Sequence, residues 1–280
     1  MIKLVVSDLD GTLLNSEKTI SKENILAVKK LKENEVAFCI ATGRLHASAK
    51  GISDKMDNEF PIISCNGALV KDIKNNLILH MKGIPSHKAL QINKAIEELG
   101  IRYHFYTETS VFTKELSNSA LWYHTENSTQ TKEENKVNVV ITENMEEMSG
   151  KTEGILKFIA FPHTQSLKIL LRKKLSDIGN LTISQSSSEN IEIMMEGVSK
   201  GNAIKKMLEI YNLDIKNVMV MGDQSNDLSM FECAKMKIAM DNGTEQLKNA
   251  STFISKSNDE NGVAYAINKL ILKEESEKCL

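Results

Sequence analysis

The feature that most restricts the fold is a set of short apolar runs, each stopped by a polar turn. Residues 2–7 end at Asp8, residues 36–41 at Thr42-Gly43-Arg44, residues 62–65 at Asn66-Gly67, and residues 218–221 at Gly222-Asp223. Runs of this length without strict alternation suit strands buried on both faces, as in a parallel sheet. Helical spacing lies between them. Ile25, Val28 and Leu31 recur at intervals of three, with Ser21 placed as an N-cap. Ile204, Met207, Leu208 and Tyr211 fall at i, i+3, i+4 and i+7, so a helix starts close to Lys200. Strands alternating with helices imply an α/β parallel-sheet core of Rossmann-like type. Composition agrees: 14 glycines and 3 prolines in 280 residues are few for short β-turns. With 41% hydrophobic residues and a formal net charge of −2, the chain is neither a disordered polymer nor a basic surface built for nucleic acid.

The middle of the chain reads differently. Residues 86–99 predict a helix closed by Gly100, followed by strands at 101–106 and 110–113 and a polar stretch over 116–135. Strands at 137–141 and 155–161, a helix near 165–177 and a strand at 181–185 complete an α+β unit inserted into the first. The parallel-sheet pattern resumes after about 187, with short strands at 237–240 and 252–254 and a last helix over 261–273. The division predicted is a discontinuous core, 1–82 and 187–280, around an insert at 83–186. No run approaches the roughly 18 apolar residues of a membrane span, and the N-terminal run is too short for a signal peptide. Cys39, Cys65, Cys233 and Cys279 form no C-x-x-C pair, which predicts buried thiols in a reducing cytoplasm. The low net charge sets no barrier to association, so a monomer or a dimer is expected.

Four motifs sit at predicted strand ends or helix starts: Asp8-Leu9-Asp10-Gly11-Thr12, Thr42-Gly43-Arg44, Ser199-Lys200-Gly201 and Gly222-Asp223-Gln224-Ser225-Asn226-Asp227. Parallel sheets gather ligand sites at the carboxyl ends of their strands, so the four should converge. Asp8 and Asp10, two apart at a strand end, aim the same way and suit a nucleophile with a general acid/base. Asp223 and Asp227 add two carboxylates, and four acids together need a cation; a hard, oxygen-seeking ion such as Mg²⁺ fits. Lys200 opposes the dipole at a helix N-terminus unless an anion binds there. Thr42 and Gly43 offer that anion a hydroxyl and an amide. Each motif alone could be a capped turn, a helix cap or a solvated lysine. Together they describe a phosphoryl group flanked by Mg²⁺, a lysine, a hydroxyl donor and a carboxylate nucleophile.

In this order the motifs resemble the haloacid dehalogenase superfamily of phosphatases, and the whole chain looks like its Cof-type subfamily, which inserts a large α/β cap. The strings SDLDGTLL, IATGR, SCNGA, IEIMMEGVSKG, MGDQSNDLSMF and SNDENGVAYAI carry the resemblance. It implies that Asp8 attacks phosphorus to form an aspartyl phosphate. Asp10 would protonate the leaving oxygen and then activate water. Mg²⁺ would be held by Asp8, the Asp10 carbonyl and Asp223, with Asp227 in support. Leu9, Thr42, Gly43, Arg44, Lys200 and Asn226 would bind or orient the phosphoryl group. Dehalogenases of the superfamily lack an acid where Asp10 stands, which disfavours dehalogenation. The chain departs from the family where Met195 replaces a common Pro and where Glu35 replaces a common Gly; Gly243 stands near a usual Ala.

The expected activity is Mg²⁺-dependent hydrolysis of small phosphorylated metabolites, sugar phosphates among them, without nucleic-acid or membrane partners. The competing readings are a phosphomutase of the same superfamily and a phospho-aspartate signalling module of the receiver type. The latter places its phosphorylated Asp after a middle strand and spans roughly one small domain. Among aromatic and histidine residues of the insert, His104, Tyr106, Trp122, Tyr123 and His124 are candidate substrate contacts. Tyr106 and Trp122 are expected to be packing residues, and His124 lacks a second ligand at helical spacing. Arg44 is the stronger candidate for touching substrate.

Overall fold

The computed structural model describes residues 1–273. Cys279, grouped above with the buried thiols, lies outside the described residues. In chain order the strands are β1 (Leu4–Ser7), β2 (Ala37–Ile40), β3 (Ile62–Ser64), β4 (Leu69–Asp72), β5 (Leu77–Met81), β6 (Arg102–Tyr106), β7 (Ser110–Thr113), β8 (Asn138–Ile141), β9 (Lys157–Phe161), β10 (Leu181–Ser184), β11 (Ile191–Met195), β12 (Val218–Gly222), β13 (Met236–Ala239) and β14 (Phe253–Ile254). The helices are α1 (Lys22–Glu33), α2 (His46–Lys55), α3 (Ser86–Glu97), α4 (Asn118–Glu126), α5 (Met145–Lys151), α6 (Gln165–Ile178), α7 (Lys200–Ile210), α8 (Leu228–Phe231), α9 (Glu245–Ala250) and α10 (Gly262–Ile267).

The apolar run at 62–65, expected in the parallel sheet, becomes β3 of a three-stranded antiparallel sheet, β3-β4-β5, and is joined to the end of β2 by a bridge between Ala41 and Ile63. The other apolar runs, with β13 and β14, form a five-stranded parallel sheet in the order β14-β13-β12-β1-β2. Burial on both faces explains why they do not alternate. Val5 packs with α1 and α10 through Val28, Leu31 and Val263, while Leu4 and Val6 pack with α7 through Ile204 and Met207. Each such side chain contributes roughly 1.5–3 kcal/mol by leaving water. Ser21 caps α1 by accepting the Asn24 amide, and Ser199 caps α7 by accepting that of Asn202.

The insert forms a six-stranded sheet, β10-β11-β9-β6-β7-β8, antiparallel except where β7 meets β8. Its faces differ by strict alternation. Phe105, Phe158, Ile191 and Ile193 pack against α3 and α6 through Ile92, Ile96, Leu171 and Leu175. Tyr106, Ile159 and Met194 face the other way and pack against Leu45 and Ala68 of the core.

Three further expectations change. The polar stretch 116–135 contains α4, which buries only Ala120 and Tyr123 and so shows no apolar stripe. The core segment expected from 187 includes β11, which pairs with β9 and β10 of the inserted sheet, so that sheet continues to Met195. The last helix ends at Ile267 and gives way to a wider π-type turn over Asn268–Leu272. Cys39, Cys65 and Cys233 are buried and unpaired, and burial pushes the Cys39 and Cys65 thiols up to about 12. Among the described residues, no helix is long and apolar enough to cross a membrane.

Candidate active site

β1 and β12 are neighbours with Ser7 opposite Met221, so the residues that follow them emerge side by side. The Asp8 amide donates to the Met221 carbonyl at 3.0 Å. Gly11 then turns the chain with φ +82°, and a Cβ there would run into the Asp223 carboxylate. The Thr12 hydroxyl donates to Asp223 Oδ1 at 2.8 Å. Lys200, the first residue of α7, is buried and contacts Asp8 Oδ1 and Asp227 Oδ1, each at 2.7 Å. Asp227 Oδ2 accepts the amides of Asp223 and Gln224, both at 3.0 Å.

Asp8, Asp223 and Asp227 therefore meet as a buried acidic triad, with one oxygen from each within 4.8 Å of the others. One lysine does not balance three carboxylates. Burial, outweighing Lys200, raises the Asp8 carboxyl well above its ordinary range, with Asp227 and Asp223 adding to the rise. Burial and then Asp227 push Asp223 up to about 6. Lys200 moves the other way: burial would lower it, but Asp227 and Asp8 hold it protonated. An all-oxygen, electron-rich set of this kind fits a hard divalent cation such as Mg²⁺.

The second motif follows β2. The Thr42 amide donates to the Ile63 carbonyl, and Thr42 Oγ1 accepts the Arg44 amide at 3.1 Å. A Cβ on Gly43 would stand 3.0 Å from Asn66 Oδ1, so the loop backbone passes close to that side chain. Arg44 does more than the sequence suggests. Its guanidinium forks onto both oxygens of Asp10 at 2.7 Å, reaches Glu126 Oε1 at 3.3 Å, and lies 4.4 Å from the Trp122 ring centroid. Lys18 adds a third contact to Asp10 at 2.9 Å. Burial raises the Asp10 carboxyl, but Arg44 and then Lys18 outweigh it and hold it well below the usual carboxylate range.

Asp8, Asp10, Thr42, Gly43, Arg44 and Asn226 share a cavity of about 330 Å³. Asn226 Oδ1 is buried there without a partner among the described residues. Lys200 lies behind Asp8 and Asp227, not in the cavity wall. The Leu9 side chain is fully buried in the core, and its carbonyl accepts the amides of Thr12 and Leu14. The far wall comes from the inserted sheet and α4: Lys157, Ile159 and Phe161, two apart along β9, with Tyr106, Trp122 and Glu192. Tyr106 is packed as expected, but Trp122 is only half-buried and covers Arg44. Tyr123 Oη accepts the Leu45 amide at 3.0 Å and so joins α4 to the start of α2. His104 is buried against Phe161 and His124 is exposed; neither lines the cavity. The sequence reading missed Lys18, Lys157, Phe161 and Glu192. Only the period of two in Lys157-Phe-Ile-Ala-Phe161 could have marked three wall residues. A larger recess, about 680 Å³, opens elsewhere beside His46 and Lys50 and holds none of the motif residues.

Comparison with known proteins gives the chain its family. The model of the haloacid dehalogenase-like hydrolases matches residues 5–267. The chain is 32% identical to the Bacillus subtilis (strain 168) 5-amino-6-(5-phospho-D-ribitylamino)uracil phosphatase YwtE, with 96% of this chain and 98% of that protein covered. It is 26% identical to phosphatase YwpJ of the same organism, with 96% and 100% covered. A haloacid dehalogenase-like hydrolase from Bacteroides thetaiotaomicron shares its fold at a TM-score of 0.83 and 24% identity, with 96% and 99% covered.

Proposed function

The chain belongs to the haloacid dehalogenase-like hydrolase family and is a phosphatase; from that premise we propose that it hydrolyses phosphomonoesters of small metabolites through an aspartyl phosphate on Asp8. The observation that carries this reading is the buried triad of Asp8, Asp223 and Asp227, gripped from one side by Lys200 at the ends of adjacent parallel strands. Lys200 holds one oxygen of Asp8, and no described residue hydrogen bonds to the other. That oxygen forms the bond to phosphorus as the ester P–O bond breaks. Asp10 gives its proton to the leaving oxygen, then takes one from the water that attacks phosphorus and releases phosphate from Asp8. In the free protein Arg44 and Lys18 keep Asp10 ionised. An entering phosphate dianion competes for both cations, and Asp10 takes up a proton from solvent as they leave.

Asp8, the Asp10 carbonyl and Asp223 would hold Mg²⁺, with Asp227, already committed to Lys200 and two amides, supporting from behind. The ion would supply neutralisation of the charge that collects on the phosphoryl oxygens. Thr42, Gly43 and Asn226 orient the phosphoryl group, and the six-stranded sheet with α4 acts as the cap that chooses the leaving group. Trp122, Phe161 and Ile159 give that wall an apolar, ring-bearing surface beside the charged Lys157. Sugar phosphates are the first class to test. The name of the relative YwtE adds a ribityl phosphate carrying a uracil ring.

The test is phosphate release from p-nitrophenyl phosphate and a metabolite panel, with Mg²⁺ or with chelator. Mg²⁺-dependent release supports the reading, and no release from any compound by folded protein defeats it. Isomerisation of hexose phosphates in the same panel would instead indicate a phosphomutase.

A further inference from the structure

Lys157 and Glu192 form an ion pair at 2.5 Å, each side chain only 2% exposed. Both belong to the inserted sheet, on β9 and β11, and both face the core. Two charges taken out of water are expensive, and replacement by apolar residues is often neutral or stabilising. The pair therefore calls for a reason beyond packing. The other contacts of the lysine supply one. Lys157 Nζ donates to the carbonyl of Gly43 at 2.9 Å, and the Tyr106 ring centroid stands 5.0 Å away on another side. Glu192 accepts Asn66 Nδ2 on its second oxygen at 2.8 Å. Asn66 in turn donates its amide to the Thr42 carbonyl and adopts φ +58° beside Gly43.

The network thus runs from two cap strands to both peptide units of the Thr42-Gly43 loop. We propose that Lys157 and Glu192 are positioning residues, which lock the phosphate loop in place only when the cap sheet is seated on the core. Fixing the Gly43 carbonyl fixes the plane of the following peptide, and so the direction in which the loop presents its groups to an anion. The side chains of Ile159 and Phe161 line the cavity from the same strand as Lys157. One rigid strand therefore sets both the leaving-group wall and the loop that grips the phosphate. This inference rests on the reading of Thr42-Gly43 as the phosphate-binding loop.

The test compares Lys157→Met/Glu192→Gln with wild type, reading the melting temperature and inhibition by inorganic phosphate. The double variant removes both buried charges and leaves Asn66 an acceptor. The expected result is an unchanged melting temperature with phosphate inhibition weakened about tenfold or more, and KM raised alike for every ester. Inhibition within twofold of wild type at unchanged stability overturns the proposal. So does a rise in KM for esters without any change for inorganic phosphate, which would make Lys157 a direct contact to the leaving group. If the double variant does not fold, Glu192→Gln decides. It removes the charge that fixes Lys157 on the Gly43 carbonyl while leaving Asn66 an acceptor, so phosphate inhibition weakened severalfold with KM raised alike for every ester supports the role, and inhibition within twofold of wild type overturns it. Wild-type protein that releases no phosphate from any ester would instead refute the phosphatase reading, a distinct outcome.

Discussion

The two walls of the cavity are built by different rules. The core wall is made where parallel strands stop. Its acids arrive in short runs because one turn after a strand places several side chains at one point, as with Asp8 and Asp10 or Asp223 and Asp227. The cap wall is made from the face of a sheet. Its residues come one in two along a strand, as with Lys157, Ile159 and Phe161, or singly from α4, as with Trp122. The charge balance also differs. The core sets three crowded carboxylates against Lys200, whereas the cap pairs Lys157 with Glu192 one to one. On the proposed function the core wall is the place for chemistry and the cap wall the place for selection and alignment.

Substitutions should separate the two walls by the size of their effect. Asp8→Asn is predicted to remove phosphate release altogether while leaving the circular-dichroism spectrum intact, since the amide cannot attack phosphorus. Asp10→Asn is predicted to slow turnover by about 10²–10⁴-fold, the span of a lost general acid/base. A cap substitution as damaging as either, at unchanged stability, would break the distinction.

Metal binding sharpens it next. Asp223 must be ionised to act as a ligand, and its carboxyl sits at about 6 in the metal-free protein. Mg²⁺ affinity, measured by calorimetry, should therefore rise by about tenfold between pH 5 and pH 7. The sign for stability is the reverse. The folded value is raised above the ordinary 3.8, so the metal-free protein loses stability as pH rises from near 4 through about 6. Saturating Mg²⁺ should abolish that loss, and melting curves with and without chelator check both statements.

On the cap side, Trp122→Ala should raise KM by about tenfold for bulky esters, with a smaller change for p-nitrophenyl phosphate, because it removes stacking area and not a reacting group. An equal fall in kcat for all substrates would instead place Trp122 in the chemistry, through its contact with Arg44. The smallest effect belongs to Glu35, an exposed residue held at φ +57° after α1. Glu35→Gly should stabilise by about 1 kcal/mol by relieving left-handed backbone, with no effect on turnover.

The same contrast explains what could be read from the chain. The parallel core was legible because β1, β2 and β12 are uninterrupted apolar runs, and Ser21 and Ser199 cap the helices placed between them. The motif residues were legible because they are contiguous. α4 was not, since it buries only two residues and its remaining side chains are polar or half-exposed. The boundary at about 187 fell before β11 because Ile-Glu-Ile-Met-Met has the apolar content of a core segment; its single charge, Glu192, is buried through a lysine 35 positions earlier. The Arg44 fork onto Asp10 joins positions 34 apart and leaves no mark in either local pattern.

Attack by Asp8 on phosphorus leaves a covalent mark on the protein, and mass spectrometry of the acid-quenched reaction detects it. With Asp10→Asn protein, Mg²⁺ and a turned-over ester, a phosphoryl group should accumulate on the peptide that carries Asp8, because its hydrolysis lacks the base. Phosphate release with no phosphoryl group ever found on Asp8, or release by Asp8→Asn at the wild-type rate, would contradict it.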